Sequence, residues 1–244
     1  MTGCCTLPPR EAPAIPLWIN GRPVLAMVPV FHEIRETATQ RLIRRVPMVD
    51  SALAATAIAN ANQAAGLLPS AMTDFLNALV VALDELEGHF AGLSAVESQV
   101  HLDAGKADVA NALACVRDLL THPIIEEVRP TGGNGHSVLA LAGPGMPLSA
   151  AIKLVVPVIV RGGAVTLIPS PDAPSCALAL AELCVQCGLP DGLFNVVYVS
   201  DANALSLVNE SGVHQVRLFG PSAWAQRWQT AAMDWSTPCE LVLP

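Results

Sequence analysis

Residues 138–170, VLALAGPGMPLSAAIKLVVPVIVRGGAVTLIPS, constrain the fold more than any other part of the chain. An apolar run at 138–142 meets the turn signal Gly143-Pro144-Gly145. A helical pattern of about four turns follows over 147–160. Arg161-Gly162-Gly163 stops it, and a second apolar run at 164–168 ends at Pro169-Ser170. Uninterrupted apolar strands joined by a crossover helix form a βαβ unit, whose strands pair in parallel and are covered on both faces.

The alternation continues to the C-terminus. The pattern predicts helix over 173–188, strand over 195–199, helix over 202–209 and strand over 215–219. A helix over 221–232 follows, with Pro221 in its first turn, then a last strand over 239–243. Five short strands with intervening helices predict an α/β fold with a doubly wound, Rossmann-like parallel sheet. Upstream, residues 1–15 read as a loose Pro-rich tail. Asn20-Gly21 between apolar flanks signals a hairpin over 18–24, and 42–48 reads as extended. Asp50 or Ser51 caps a helix over 52–66. Apolar spacing predicts helices over 74–90, ended by Gly88, then over 95–102 and 106–121. Residues 123–137 read as irregular, with a loop tip at 131–135. The expected organisation is a tail at 1–15 and a single domain at 16–244, with a hairpin and helical part at 16–137 and the βαβ sheet at 138–244.

Composition narrows what such a domain can do. Of the 244 residues, 14% are charged and 52% hydrophobic, and mean hydropathy is +0.47. An average domain carries about 25% charged residues. Only two lysines occur, Lys106 and Lys153. So little charge leaves a surface that is small and apolar, or one buried against a protein partner or a second copy. A net charge of -8 argues against nucleic acid and anionic membranes as ligands. The longest apolar region, 148–168, is broken by Lys153, Pro157, Arg161 and two glycines, so no membrane insertion is expected. Residues 1–10 have no apolar signal core, and a cytoplasmic protein with reduced cysteines is expected.

Single residues offer little chemistry by themselves. Cys184 and Cys187 form a C-x-x-C inside a predicted helix, without the helix N-terminus that would favour a thiolate. No second pair completes a zinc site, so no metal is expected. Cys239 neighbours Glu240, but adjacent strand residues point to opposite faces. The six histidines are scattered and read as surface or capping residues. Leu148 stands where a G-x-G-x-x-G fingerprint begun at Gly143 and Gly145 needs its third glycine.

Eight pieces in order resemble the N-terminal, cofactor-binding half of the aldehyde dehydrogenase superfamily. They are Trp18-Ile19-Asn20-Gly21, Val46-Pro47, Leu102-Asp103-Ala104-Gly105-Lys106, Gly143-Pro144-Gly145-Met146-Pro147-Leu148, Arg161-Gly162-Gly163 through Pro169-Ser170, Gly188-Leu189-Pro190 through Asn195-Val196-Val197, Leu218-Phe219-Gly220-Pro221 and Cys239-Glu240-Leu241. The fourth resembles the family's Pro-Trp-Asn-Phe-Pro-Leu, and the sixth is the most specific.

The resemblance implies a degenerate site. Gly145 stands where the family has its oxyanion-holding Asn, a loss that typically costs about 10²–10³ in rate. Ile168 replaces the Lys that grips the adenosine ribose, ahead of a retained Ser170. Pro221, after Gly220, replaces a Ser at the pyrophosphate and removes a backbone N–H. Gly143, Gly145, Ile168, Ser170, Gly220 and Pro221 are thus what is left of a cofactor site, and NAD is not expected to bind. Glu240 matches the general base as a vestige. The family's nucleophilic cysteine lies in a further domain, which the resemblance implies is absent, and its oligomerisation arm reads as shortened between Leu120 and Val138. The expected function is a non-catalytic, pseudoenzyme-like structural or regulatory subunit of a larger complex. The alternative is the NAD-binding half of a split aldehyde dehydrogenase whose cysteine is on another chain.

Overall fold

The structure, a computed structural model, describes residues 14–67, 71–122, 136–208 and 212–242. The chain opens with the hairpin β1 (Leu17–Ile19) and β2 (Arg22–Val24). Its turn places Asn20 and Gly21 at φ 54° and 72°, the left-handed pair a two-residue hairpin needs. β3 (Phe31–Arg35) and β4 (Leu42–Pro47) form a separate two-stranded sheet. Four helices follow: α1 (Ser51–Ala64), α2 (Met72–Glu85), α3 (Glu87–Ser98) and α4 (Leu102–Thr121). Asp50 caps α1 by accepting the Leu53 N–H at 2.9 Å.

The remaining elements alternate. They are β5 (Ser137–Ala142), α5 (Pro147–Val160), β6 (Ala164–Ile168), α6 (Ser175–Gln186), β7 (Phe194–Val196), α7 (Asp201–Leu207), β8 (Gln215–Phe219), α8 (Ser222–Ala232) and β9 (Cys239–Leu241). The sheet order is β2-β1-β7-β6-β5-β8-β9. From β7 to β9 every pairing is parallel, and β1 adds an antiparallel strand beside β7. Every residue of β5 and β6 is buried. Helices α5 and α6 pack together over one face, with α3 and α4 stacked outside them; α1 and α7 pack together over the other. One apolar core runs from Leu17 through Leu79 to Leu218.

Several boundaries differ from the sequence pattern, each for a local reason. The tail does not reach residue 15: Ile15 is buried, and its N–H donates to the Arg45 carbonyl at 3.0 Å. Residues 1–13 and the loop tip at 131–135 lie outside the described residues, as does most of the segment expected to hold a shortened arm. The helix expected over 74–90 is two. The chain breaks at Leu86, and Gly88 lies in the first turn of α3 rather than at a stop. Phe75, Leu79, Leu83 and Phe90 are all buried in one core, so apolar spacing runs through the break unchanged. The helix expected over 95–102 is the end of α3 and the start of α4, separated by Gln99 at φ 54°. Pro221 is the N-cap of α8 and not a first-turn residue. β3 was not expected: only Ile34 of its five residues is buried, too little to leave a pattern.

Two buried carboxylates fasten the outer helices to the sheet helices. Helix α5 starts with Pro147 after Met146, which supplies no side-chain cap. Asp108 of α4 supplies it instead. Its carboxylate, 2% exposed, accepts the N–H groups of Leu148 and Ser149, both at 2.9 Å, and the Ser149 hydroxyl at 2.5 Å. Glu97 of α3 does the same for α6, accepting the Ser175 N–H at 2.9 Å and its hydroxyl, with Arg44 Nε at 2.8 Å on the other side. Each carboxylate meets free N–H groups at the positive end of a helix dipole. We expect Asp108→Ala to lower unfolding free energy by about 2–3 kcal/mol, because two backbone donors and the hydroxyls of Ser149 and Ser94 lose their partner in a dry setting. Urea melts of the two proteins check this, and Asp108→Asn should lose less.

Candidate functional site

Ligands of doubly wound sheets lie beyond the C-terminal ends of the strands, where the strand order reverses. Here the chain runs outward from β5 to β6 and β7 on one side, and to β8 and β9 on the other. The reversal falls between β5 and β8, whose following loops carry Gly143-Pro144-Gly145 and Gly220-Pro221. The structure thus gathers the residues singled out from sequence, Glu240 apart, at the C-terminal edge of the parallel sheet. Gly143 donates to the Phe219 carbonyl at 2.7 Å, which joins the two loops. Ile168 ends β6 and is buried, and Ser170 is buried just beyond it.

What these residues offer is chiefly shape. Gly145 sits at φ 85°, and a Cβ there would meet nothing within 4 Å. Ile168 has no polar atom in its side chain. Pro221 starts α8 without an N–H and without a side-chain cap. The one helix N-terminus beside Gly145, that of α5, already holds the Asp108 carboxylate. A phosphate placed there would meet a negative charge and two committed donors.

Trp224 of α8 closes the crevice further. A Cβ on Gly143 or on Gly220 would each come within 2.7 Å of its ring. The indole therefore lies flush on both glycines, over the point where the strand order reverses. It is held there by Trp228, 5.8 Å away between ring centroids, which in turn meets Trp235 at 6.3 Å. Trp224 was missed from sequence. An i, i+4 tryptophan pair after a strand signals a common helix face, but not that one ring folds back onto Gly220 and onto the distant Gly143.

Glu240 does not reach this crevice. It pairs in register with Arg217 on β8, which pairs with Ala140 on β5, two rows short of the end of β8. Its carboxylate accepts from Gln215 Nε2 at 2.9 Å and from Arg217 Nε at 3.2 Å. The reason for a buried Arg217 lies in α5. Pro157 has no N–H for the Lys153 carbonyl one turn earlier. Arg217 Nη1 donates to that carbonyl at 3.4 Å and to the Leu154 carbonyl at 3.2 Å. Burial pulls the Arg217 pKa below the usual guanidinium value, and the Glu240 charge counters the shift. Glu240 thus serves as counter-ion to the side chain that mends the proline break. The signals were a lone Arg inside Val216-Arg217-Leu218 and a Pro inside a helix, which only structure could join.

The other candidates stay apart. Among the described residues, burial raises the pKa of all five cysteines; for Cys239 the Glu240 charge adds to it. Cys184 and Cys187 fall at the C-terminal end of α6, where the helix dipole further disfavours a thiolate. No group of three metal-ligating side chains occurs among the described residues. His101 caps α4, and His32 and His122 pair with Asp172 and Asp118. No helix of the described residues is long and apolar enough to cross a membrane.

Sheet order defines the class: a doubly wound α/β domain whose strand order reverses between β5 and β8. The aldehyde dehydrogenase family model matches residues 30–243, so the chain belongs to the aldehyde dehydrogenase family. It is 31% identical over 251 aligned residues to a betaine aldehyde dehydrogenase of Cereibacter sphaeroides, covering 92% of this chain and 50% of that protein. A shorter match, 35% over 98 residues, covers 40% of this chain and 20% of the 3,6-anhydro-alpha-L-galactose dehydrogenase of Streptomyces coelicolor. In fold it is similar to the Mycobacterium tuberculosis aldehyde dehydrogenase complexed with NAD+. The TM-score is 0.82 at 24% identity, over 96% of this chain and 52% of that one. The lactaldehyde dehydrogenase of Escherichia coli gives 0.81 at 18%, over 94% and 52%. The chain spans about half the length of the betaine aldehyde dehydrogenase and of the two solved structures.

The role found for Glu240 has a stability consequence. Glu240→Ala should lower unfolding free energy by about 1–2 kcal/mol, less than for a fully buried pair because the carboxylate is half exposed. Arg217→Met should cost about 2–4 kcal/mol. Adding Pro157→Ala to Arg217→Met should return part of that, since residue 157 then donates to the Lys153 carbonyl itself. Denaturant melts of the four proteins test the coupling.

Proposed function

We propose that this chain is a non-catalytic aldehyde-dehydrogenase-like protein, acting as a structural or regulatory subunit in a larger assembly. The observation that carries this reading is Trp224 lying on Gly143 and on Gly220, the residue before Pro221, where the family resemblance places the cofactor's pyrophosphate. Three further features support it. Gly145 offers no oxyanion donor, Ile168 no ribose grip, and Pro221 no N–H for phosphate. Glu240, the position matching the general base, is engaged by Arg217 and Gln215. On this reading no cofactor is needed, and the low charge of the chain reflects an apolar surface that meets another protein or a second copy.

A second reading is favoured by one observation, the match along 92% of this chain to a betaine aldehyde dehydrogenase. In it the chain is the NAD-binding part of a split enzyme, and a partner supplies the cysteine. Calorimetric titration with NAD separates the two. The first reading predicts no saturable heat for the natural chain. It also predicts saturable binding once Trp224→Ala, Pro221→Ser and Ile168→Lys are combined, which clear the crevice and restore two polar grips. Micromolar binding by the natural chain would favour the split enzyme. Proteins that co-purify with the untagged chain from its own cell would then identify the assembly.

A further inference from the structure

At the other end of the sheet, the N-terminal ends of β5, β6 and β8 border a recess of about 150 Å³. Val138, Val158 and the Gly162-Gly163 backbone give it an apolar floor, and Arg161, Arg217 and Glu240 stand around it. An apolar cavity of roughly that volume is large enough for a benzene ring. The charges do not balance: two guanidinium groups face one carboxylate. Glu240 is already bound by Arg217 and Gln215, and the positive charge of Arg161 still acts on Arg217. The Gly163 N–H is bonded to the Val158 carbonyl at 3.0 Å, so the backbone there offers an anion nothing. Recognition falls to Arg161, an exposed residue that caps the C-terminal end of α5. Its Nη1 donates to the Pro157 carbonyl at 3.2 Å, which sets the guanidinium beside the recess.

We propose that this recess binds a small organic monocarboxylate, its ring or short chain on the floor formed by Val138 and Val158 and its carboxylate on Arg161. A planar guanidinium matches a carboxylate with two parallel hydrogen bonds, which a neutral amide cannot copy. The added negative charge also offsets the repulsion between Arg161 and Arg217. The site does not depend on whether the crevice at the far end holds a cofactor, so either reading of function leaves it in place.

Titrating the 244-residue chain with benzoate, and following backbone amides by NMR, tests the proposal. Saturable shifts centred on Gly162, Gly163, His136 and Gln215 are expected at millimolar benzoate. Benzamide, the neutral isostere, should bind about tenfold or more weakly, and Arg161→Gln should weaken benzoate by a similar factor. Arg161 is exposed, so Arg161→Gln should keep the spectrum of the natural fold. Equal binding of benzamide, unchanged benzoate affinity in Arg161→Gln, shifts centred elsewhere, or no saturation would each overturn it.

Discussion

The Asp108 carboxylate at the start of α5 is the contact on which the arrangement of layers depends. Helix α5 lies against β5, β6 and β8, so its position sets the middle of the sheet. Its first N–H groups are buried and need an acceptor. Asp108 meets that need from α4, and Glu97 meets the same need at α6 from α3. Two helices outside the sheet are thereby fixed to two helices on it. The device has a functional side. In nucleotide-binding folds a helix N-terminus beside a glycine turn is an anion site. In this chain, the helix that follows the Gly143 turn has its anion built in.

A similar substitution of internal for external partners occurs further along α5. Pro157 frees a carbonyl, Arg217 reaches from β8 to satisfy it, and Glu240 on β9 balances the buried charge. A residue that the family resemblance marks as a general base is thereby explained by helix repair. Trp224 completes the pattern by resting on the two glycines that leave room at the reversal of strand order. The scaffold is that of the aldehyde dehydrogenase family's doubly wound sheet. Its polar and open positions are committed to holding the chain together.

Most of the fold was legible in the sequence because its signals are local. The apolar runs at β5 and β6, Pro147 at the start of α5 and the Gly162-Gly163 stop each report backbone geometry within a few residues. Asn20-Gly21 did the same for the first hairpin. The break at Leu86 was invisible, since α2 and α3 bury side chains in one core and the apolar spacing does not change there. The crevice was legible as a set of positions, through Gly143, Gly145, Ile168 and Pro221. What fills it was not. Trp224 meets Gly143 81 residues away, Asp108 caps Leu148 40 residues away and Arg217 pairs with Glu240 23 residues away, and spacing along the chain carries no trace of such pairs.

On the proposed reading, Trp224 fills the place at the reversal of strand order that a dinucleotide would take. Crystals of the protein soaked with NAD should show Trp224 still flat on Gly143 and Gly220, with no ordered dinucleotide beside them. An ordered pyrophosphate between the β5 and β8 loops, with the indole swung away, would contradict it.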